Sequence, residues 1–91
     1  MCGILGIYGD KEDINLEVYE GLQALQHRGQ DSVGIANSDC IIKYPGLVKD
    51  NFTVEDLNNL KSTCCIGHVR YGTNGLVNSI QPLYSTFPRR I

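Results

Sequence analysis

The first apolar run of the chain, CGILGIYG at residues 2–9, has the length and composition of a β-strand but carries three glycines. Glycine weakens the interior of a strand because it has no side chain to pack. It is used where another backbone or a ligand must approach closely. The run therefore predicts a strand that another backbone or a ligand approaches closely. Cys2 is the first residue of this run.

Residues 13–29 have the apolar spacing of an α-helix. Val18 and Leu22 lie four residues apart and belong to one apolar face. Asp13 precedes the pattern and Gly29 follows it, at the positions where helices are commonly capped. We therefore expect a helix that begins after Asp13 and ends at Gly29.

The remaining patterns predict further strands around a second helix. Two β-prone runs, 32–38 and 40–46, are separated by the turn sequence NSD and predict a hairpin. A shorter helix is predicted at 51–61 with Thr53 as its cap, followed by a strand at 63–72. Strands joined in this order favour an α+β fold, an antiparallel sheet with helices on one face.

Composition and charge exclude several classes of protein. Eight Lys and Arg against ten Asp and Glu leave a net charge of −2, which argues against nucleic acid or a membrane surface as partner. No apolar stretch approaches the length of a membrane span, and no charged leader precedes an apolar core. We therefore expect one cytoplasmic domain within the 91 residues.

The four cysteines do not indicate a disulfide framework, because nothing in the sequence points to secretion. Zinc ligands usually come in pairs at short spacing, whereas Cys64 and Cys65 are adjacent and suit one tetrahedral ion poorly. A metal or redox module is therefore the weakest functional hypothesis. We expect Cys40, Cys64 and Cys65 to be buried thiols, and we expect no metal or other cofactor in this chain.

Cys2 is a candidate nucleophile, provided that a base removes its proton. His27 and His68 are the two imidazoles, although a histidine at a helix end and a satisfied histidine in a buried strand are their plainer interpretations. The third base is the α-amino group of Cys2 itself after removal of Met1, with a reference pKa of about 8. These residues alone leave the choice of base open.

Two arginines lie within glycine-rich or apolar segments. Arginine suits carboxylates because its guanidinium offers two parallel donors. Arg70 ends a predicted strand and precedes the loop GTNG at 72–75, where ligand contacts and mobile lids are common. The alternative for Arg28 and Arg70 is an ordinary surface ion pair.

Several stretches occur in one order: MCGILGIYG, LQHRGQDSVGIA, GLVKDNF and IGHVRYGTNG, followed by QP. Together they resemble the N-terminal part of the amidophosphoribosyltransferase family, glutamine-dependent enzymes that open purine biosynthesis. More broadly they resemble class II glutamine amidotransferases of the N-terminal nucleophile type. HRGQDS and HVRYGTNG fit the purine branch better than the glucosamine-phosphate synthase branch. The resemblance extends from Met1 to about Pro82.

The resemblance implies a fold and a reaction. The fold would be part of an αββα layer structure. Cys2, exposed by removal of Met1, would attack the side-chain amide of glutamine, and its α-amino group would serve as base and then protonate the departing ammonia. A γ-glutamyl thioester would form and be hydrolysed to glutamate.

The resemblance also implies how glutamine, the expected partner, is bound. Arg70 would hold its α-carboxylate, and Tyr71 and Thr73 would begin the loop that closes over it. Arg28 and Gly29 would shape the floor behind the nucleophile.

We further expect residues 1–91 to be only the N-terminal portion of the amidotransferase domain. The family's oxyanion-hole segment, and the phosphoribosyltransferase domain that would hold Mg²⁺, would lie outside it. Losing one oxyanion donor costs about 10²–10³ in rate, so we expect little activity from these residues alone. The alternative is a catalytically inactive remnant or a regulatory or binding fragment. The uncovered sheet predicts self-association or completion by another chain.

Overall fold

The structure, a computed structural model, describes residues 2–71 and 80–82 of the chain. The strands in these ranges are β1 (Gly3–Tyr8), β2 (Ser32–Ala36), β3 (Ile41–Pro45) and β4 (Cys64–Arg70). The helices are α1 (Ile14–Ala24), α2 (Val48–Asn51) and α3 (Val54–Asn59), with a one-turn 3-10 helix at Gln26–Arg28. No helix in the described ranges is long and apolar enough to cross a bilayer.

The four strands form one antiparallel sheet in the order β1-β4-β2-β3. β2 and β3 are the predicted hairpin. The Asn37 side-chain oxygen closes their turn by accepting the N–H groups of Asp39 and Cys40, each at 2.8 Å. Val69 of β4 pairs with Gly3 on one side and with Val33 on the other. The late strand β4 therefore lies between the first strand and the hairpin.

Helix α1 covers one face of the sheet, over β1 and β4. Val18 and Leu22 are fully buried, as their spacing predicts. Gly67 allows the close approach, since a β-carbon there would lie 2.7 Å from Leu22 Cδ1 and 2.9 Å from Val18 Cγ1. On the helix itself, Gly21 packs directly against the side chain of Leu5. These contacts are part of the core, which also contains Val33, Ile35 and Val69.

Helix α3 docks beside α1. Its predicted cap is confirmed, because Thr53 accepts the Asp56 N–H at 3.1 Å while the Asp56 carboxylate accepts the Thr53 N–H at 3.2 Å. The buried Asn15 amide of α1 donates to the carbonyl of Leu57. Leu60, directly after α3, is fully buried in the core.

The face turned away from α1 is only partly covered. Ile4 and Tyr8 on this side are 75 % and 81 % exposed, and Ile66 is 46 % exposed. Residues 81–82 lie over Gly34, where a β-carbon would meet the Gln81 carbonyl oxygen. We call this side, defined by Ile4, Tyr8 and Ile66, the open face.

The first helix begins at Ile14, directly after Asp13 as predicted, but it ends earlier than predicted. Asp13 is the residue at its N-cap, although its side chain makes no capping hydrogen bond. Asp13 also forms an isolated parallel bridge with Ser62. The helix ends at Ala24 and tightens into the 3-10 turn. Gly29 is the C-cap of this turn, with its N–H donating to the Gln26 carbonyl oxygen at 3.1 Å. Its φ of −166° is extended backbone, not the left-handed conformation common at helix caps.

The cysteines differ in burial although all are free thiols. Cys65 is buried as expected and Cys40 is half-buried, but the expectation is wrong for Cys64, which is exposed. Adjacent strand residues point to opposite faces, which explains this difference. Burial raises the pKa of the Cys65 thiol, and the neighbouring Cys64 adds to the rise.

Candidate active site

Cys2 lies at the start of β1, at one end of the sheet. Gly3 pairs with Val69 on β4, so the antiparallel register places Cys2 next to Arg70. The Cys2 thiol is partly exposed, and its Sγ lies 3.9 Å from the carbonyl oxygen of Tyr71. Strand pairing therefore brings together the predicted nucleophile and the predicted carboxylate-binding arginine, from opposite ends of the described chain.

Arg28 contacts the main chain of the predicted nucleophile. Its Nε donates to the carbonyl oxygen of Cys2 at 3.0 Å. Its side chain passes over Gly3, where a β-carbon would lie 3.5 Å from Arg28 Cδ. Arg28 thus fixes the backbone that carries the thiol.

Gly29 packs against the peptide that joins Arg70 and Tyr71. A β-carbon at Gly29 would lie 2.5 Å from the Arg70 carbonyl carbon and 2.8 Å from the Tyr71 nitrogen. Two residues on, the Asp31 N–H donates to the Arg70 carbonyl oxygen at 3.0 Å. Close backbone approach therefore accounts for the glycine at this position.

Two residues of this cluster were not predicted from the sequence, Asp31 and Gln26. The Gln26 side chain donates to the Gly29 carbonyl at 2.6 Å and accepts the Val48 N–H at 2.8 Å. Both lie in the stretch LQHRGQD. Each has a partner that is distant in sequence, Val48 for Gln26 and Arg70 for Asp31, and no local periodicity or spacing identifies such contacts.

The two histidines differ in burial. No hydrogen bond in residues 2–71 and 80–82 joins either imidazole to Cys2. His27 is exposed. His68 is 8 % exposed, and its Nδ1 has no hydrogen-bond partner in the described part of the chain. Ile4 and Gly34 flank His68 on the neighbouring strands, and the expectation of a satisfied histidine stays a prediction.

Burial lowers the pKa of His68, and the positive charge of Arg70 lowers it further. Thr73 and the loop at 72–75 lie outside the described residues. Across the described ranges, no three His, Cys, Asp or Glu side chains are grouped so that they could hold a metal ion. The arrangement that remains is a thiol beside an arginine, held by close backbone contacts.

Comparison with known proteins identifies relatives of the chain, although no family model matches it. The chain is 46% identical over 91 residues to amidophosphoribosyltransferase 3, chloroplastic, of Arabidopsis thaliana, covering 93% of this chain and 17% of the relative. It is 48% identical over 89 residues to amidophosphoribosyltransferase of Methanocaldococcus jannaschii, covering 90% and 19%. This chain is homologous to the N-terminal part of amidophosphoribosyltransferases.

The solved structures of amidophosphoribosyltransferases have the same fold. The glutamine phosphoribosylpyrophosphate amidotransferase of B. subtilis, complexed with ADP and GMP, matches with a TM-score of 0.77 and 37% identity, over 91% of this chain and 18% of that one. The predicted α+β fold with an antiparallel sheet is confirmed. The chain spans about a fifth of the length of the curated relatives that it matches.

Proposed function

We propose that this chain carries the glutaminase site of an amidophosphoribosyltransferase, which releases ammonia from the side-chain amide of glutamine. One observation carries the proposal: the pairing of β1 with β4 brings Cys2 next to Arg70. Arg28 donates a hydrogen bond to the backbone of Cys2, and Gly29 packs against the backbone of Arg70. A thiol beside a guanidinium suits a substrate that has both an amide and a carboxylate.

The Cys2 thiol supplies the nucleophile. It attacks the side-chain carbonyl carbon of glutamine, and its proton passes to the α-amino group freed by removal of Met1. The carbon–nitrogen bond breaks, the α-amino group returns that proton to the leaving nitrogen, and ammonia departs. Water then hydrolyses the γ-glutamyl thioester, which yields glutamate and restores the thiol.

The surrounding residues are proposed to bind and orient glutamine. Arg70 ends β4 beside Cys2, which supports a contact with the α-carboxylate of glutamine. Tyr71 follows the strand and is exposed, as expected of a residue that begins a closing loop together with Thr73. Arg28 and Gly29 fix the floor behind the thiol.

The ammonia is proposed to displace pyrophosphate from phosphoribosyl pyrophosphate, giving 5-phosphoribosylamine for purine biosynthesis. This step belongs to a Mg²⁺-dependent phosphoribosyltransferase domain. Residues 1–91 are proposed to be the N-terminal portion of the class II glutamine amidotransferase domain. The proposed location is the cytoplasm. The support is that the relatives are amidophosphoribosyltransferases, and this chain spans about a fifth of their length.

Reaction with 6-diazo-5-oxo-norleucine, a glutamine-like alkylator, tests the glutaminase site. The thiol displaces dinitrogen and forms a thioether, which intact mass and peptide mapping locate. We expect one adduct, on Cys2, in protein that has lost Met1. Arg70→Ala should block it, whereas Cys64→Ala, which removes an exposed thiol, should leave it unchanged. Folded protein that lacks Met1 and takes no adduct would contradict the proposal and favour an inactive remnant.

We also propose that the open face associates with a second copy of the chain. Its exposed apolar side chains, Ile4, Tyr8 and Ile66, support this partner. Sedimentation velocity should show association that rises with concentration, and Tyr8→Ser should weaken it. A monomer at every concentration would exclude it.

A further inference from the structure

Gln26 has both ends of its side-chain amide engaged. Its Nε2 donates to the Gly29 carbonyl oxygen at 2.6 Å, and its Oε1 accepts the Val48 N–H at 2.8 Å. The side chain is half-buried at the start of the 3-10 turn. A carboxylate cannot make this pair of bonds, because an ionised carboxylate only accepts.

Gly29, which accepts the hydrogen bond from Gln26 Nε2, also contacts Arg70. With a β-carbon position only 2.5 Å from the Arg70 carbonyl carbon, the two main chains are in direct contact. The contact limits movement of Gly29 toward β4, and the bond from Gln26 restrains the Gly29 carbonyl. Gln26 therefore helps to set the position of the backbone from which the Arg70 side chain extends.

Arg28 connects the turn that Gln26 stabilises to Cys2. It lies inside the short ring that the bond from the Gln26 side chain to Gly29 closes, and the backbone bond from the Gly29 N–H to the Gln26 carbonyl closes the same turn at 3.1 Å. These two bonds together help to fix the backbone from which the Arg28 side chain extends. Arg28 Nε then reaches the Cys2 carbonyl oxygen at 3.0 Å. One amide group thus acts on both sides of the candidate site.

The other end of the Gln26 amide anchors this cluster to α2, through Val48. A second route joins the same two parts of the chain. The Gly46 N–H donates to the Asp31 carbonyl at 2.8 Å, and the Asp31 N–H donates to the Arg70 carbonyl at 3.0 Å. Segment 46–48 is therefore tied to Arg70 by two routes. The route through Asp31 consists of hydrogen bonds throughout, and the route through Gln26 ends in the packing of Gly29 against the Arg70 main chain.

We propose that Gln26 is a positioning residue of the glutaminase site, holding Cys2 and Arg70 at the separation that glutamine requires. This inference rests on the proposed function. A positioning role affects glutamine-dependent chemistry and leaves the intrinsic reactivity of the thiol unchanged. This difference separates it from a merely structural role.

The test compares Gln26→Glu with a matched control in the complete protein. Gln26→Glu keeps the acceptor toward Val48 and replaces the donor that faces Gly29 with an oxygen. Gln23→Glu is the control, since the exposed Gln23 amide donates to the Tyr19 hydroxyl at 3.3 Å. Each protein is reacted with 6-diazo-5-oxo-norleucine and with iodoacetamide, which alkylates a thiol without a glutamine pocket. NMR-detected hydrogen exchange follows the Asp31 amide.

We expect Gln26→Glu to slow the reaction with 6-diazo-5-oxo-norleucine by about 10- to 100-fold. Alkylation of Cys2 by iodoacetamide should change by less than about twofold, and exchange at the Asp31 amide should rise about tenfold. Gln23→Glu should match the parent protein. If Gln26→Glu does not fold, Gln26→Asn gives the same test, because its amide is too short to bridge both partners.

Two results would overturn the inference: unchanged reaction with both reagents, or equal slowing with both. The failure of the proposed function looks different, because the parent protein would then react with iodoacetamide at Cys2 but not with 6-diazo-5-oxo-norleucine. In that case, hydrogen exchange at the Asp31 amide still tests whether Gln26 holds the backbone around Arg70. Unchanged exchange in Gln26→Glu would contradict that role.

Discussion

The two faces of the sheet differ in what covers them and in what they carry. Under α1, Val18 and Leu22 are fully buried and reach the sheet through glycine contacts. On the open face, Tyr8 is largely exposed. At the end of the same sheet, the register places Cys2 beside Arg70. One face is a packed core, and the chemistry-bearing residues lie where a ligand can reach them.

We therefore expect the packed face to determine the stability of the fold and the end of the sheet that carries Cys2 to determine its reactivity. Substitutions under α1 should change the free energy of unfolding, whereas those on the open face should leave it nearly unchanged. Arg28 and Gly29 join the two regions, because they follow α1 in the chain and contact Cys2 and Arg70. Changes at these two positions should therefore affect both quantities.

The largest expected effect compares one substitution on each face. Leu22→Ala leaves a cavity in the core and should lower the free energy of unfolding by about 2–5 kcal/mol. Tyr8→Ala, on the open face, should change it by less than about 0.5 kcal/mol. Urea denaturation measures both, and equal losses would contradict the contrast between the faces.

Gly29→Ala should have the next largest effect. Its β-carbon would lie 2.5 Å from the Arg70 carbonyl carbon, and overpacking of this kind costs about 1–3 kcal/mol. Alkylation by 6-diazo-5-oxo-norleucine should slow in parallel. Gly6→Ala is the matched control, since its β-carbon would lie 3.6 Å from Ile66 Cγ2, an ordinary contact. A stable and fully reactive Gly29→Ala protein would disprove the close-approach argument.

Arg28→Met should have a smaller effect on stability. It keeps a long side chain but removes the donor to the Cys2 carbonyl, which costs about 1 kcal/mol. Urea denaturation measures the loss, and mass spectrometry follows the slower alkylation of Cys2 by 6-diazo-5-oxo-norleucine. Lys61→Met, at an exposed cation, controls for the lost charge. If the two variants behave alike, the Arg28–Cys2 bond has no measurable role.

The smallest effect concerns His68 and appears as a pH dependence. Burial and Arg70 hold its folded pKa below the ordinary 6.5, so the unfolded chain binds the proton more readily between these two pKa values. The free energy of unfolding should fall as the pH drops below about 6.5, and level off once folded His68 is also protonated. His68→Gln should remove this part of the dependence. Urea denaturation of both proteins at about pH 5 and pH 8 measures it, and identical pH profiles would contradict it.

Local signals predicted the secondary structure well. The hairpin followed from the turn at Asn37, and the cap at Thr53 from the position of its hydroxyl before an acidic first turn. Helix α2 was missed, because one turn of helix is too short to show a periodicity. Asp13 was predicted as a cap from its residue type and position, and it does occupy the N-cap, but its side chain makes no capping hydrogen bond.

The candidate site could be predicted as a set of residues but not as a geometry. Resemblance pointed to Cys2 and Arg70, whereas their proximity depends on the register of β1 against β4. Gly29 was predicted as a cap, and it caps the 3-10 turn rather than α1, in an extended conformation that packs against β4. Gln26 was missed because its partners include Val48, which no local pattern connects to it. The binding and catalytic roles stay predictions.

The pairing of β1 with β4 also sets an order in time. A ribosome makes β1 first, yet its neighbour among the described strands is β4, which is made last. Until Arg70 has emerged, β1 presents an unpaired edge that other chains can join. Cys2 is thus synthesised well before the strand that brings Arg70 beside it, so during synthesis its thiol is present before the candidate site can form.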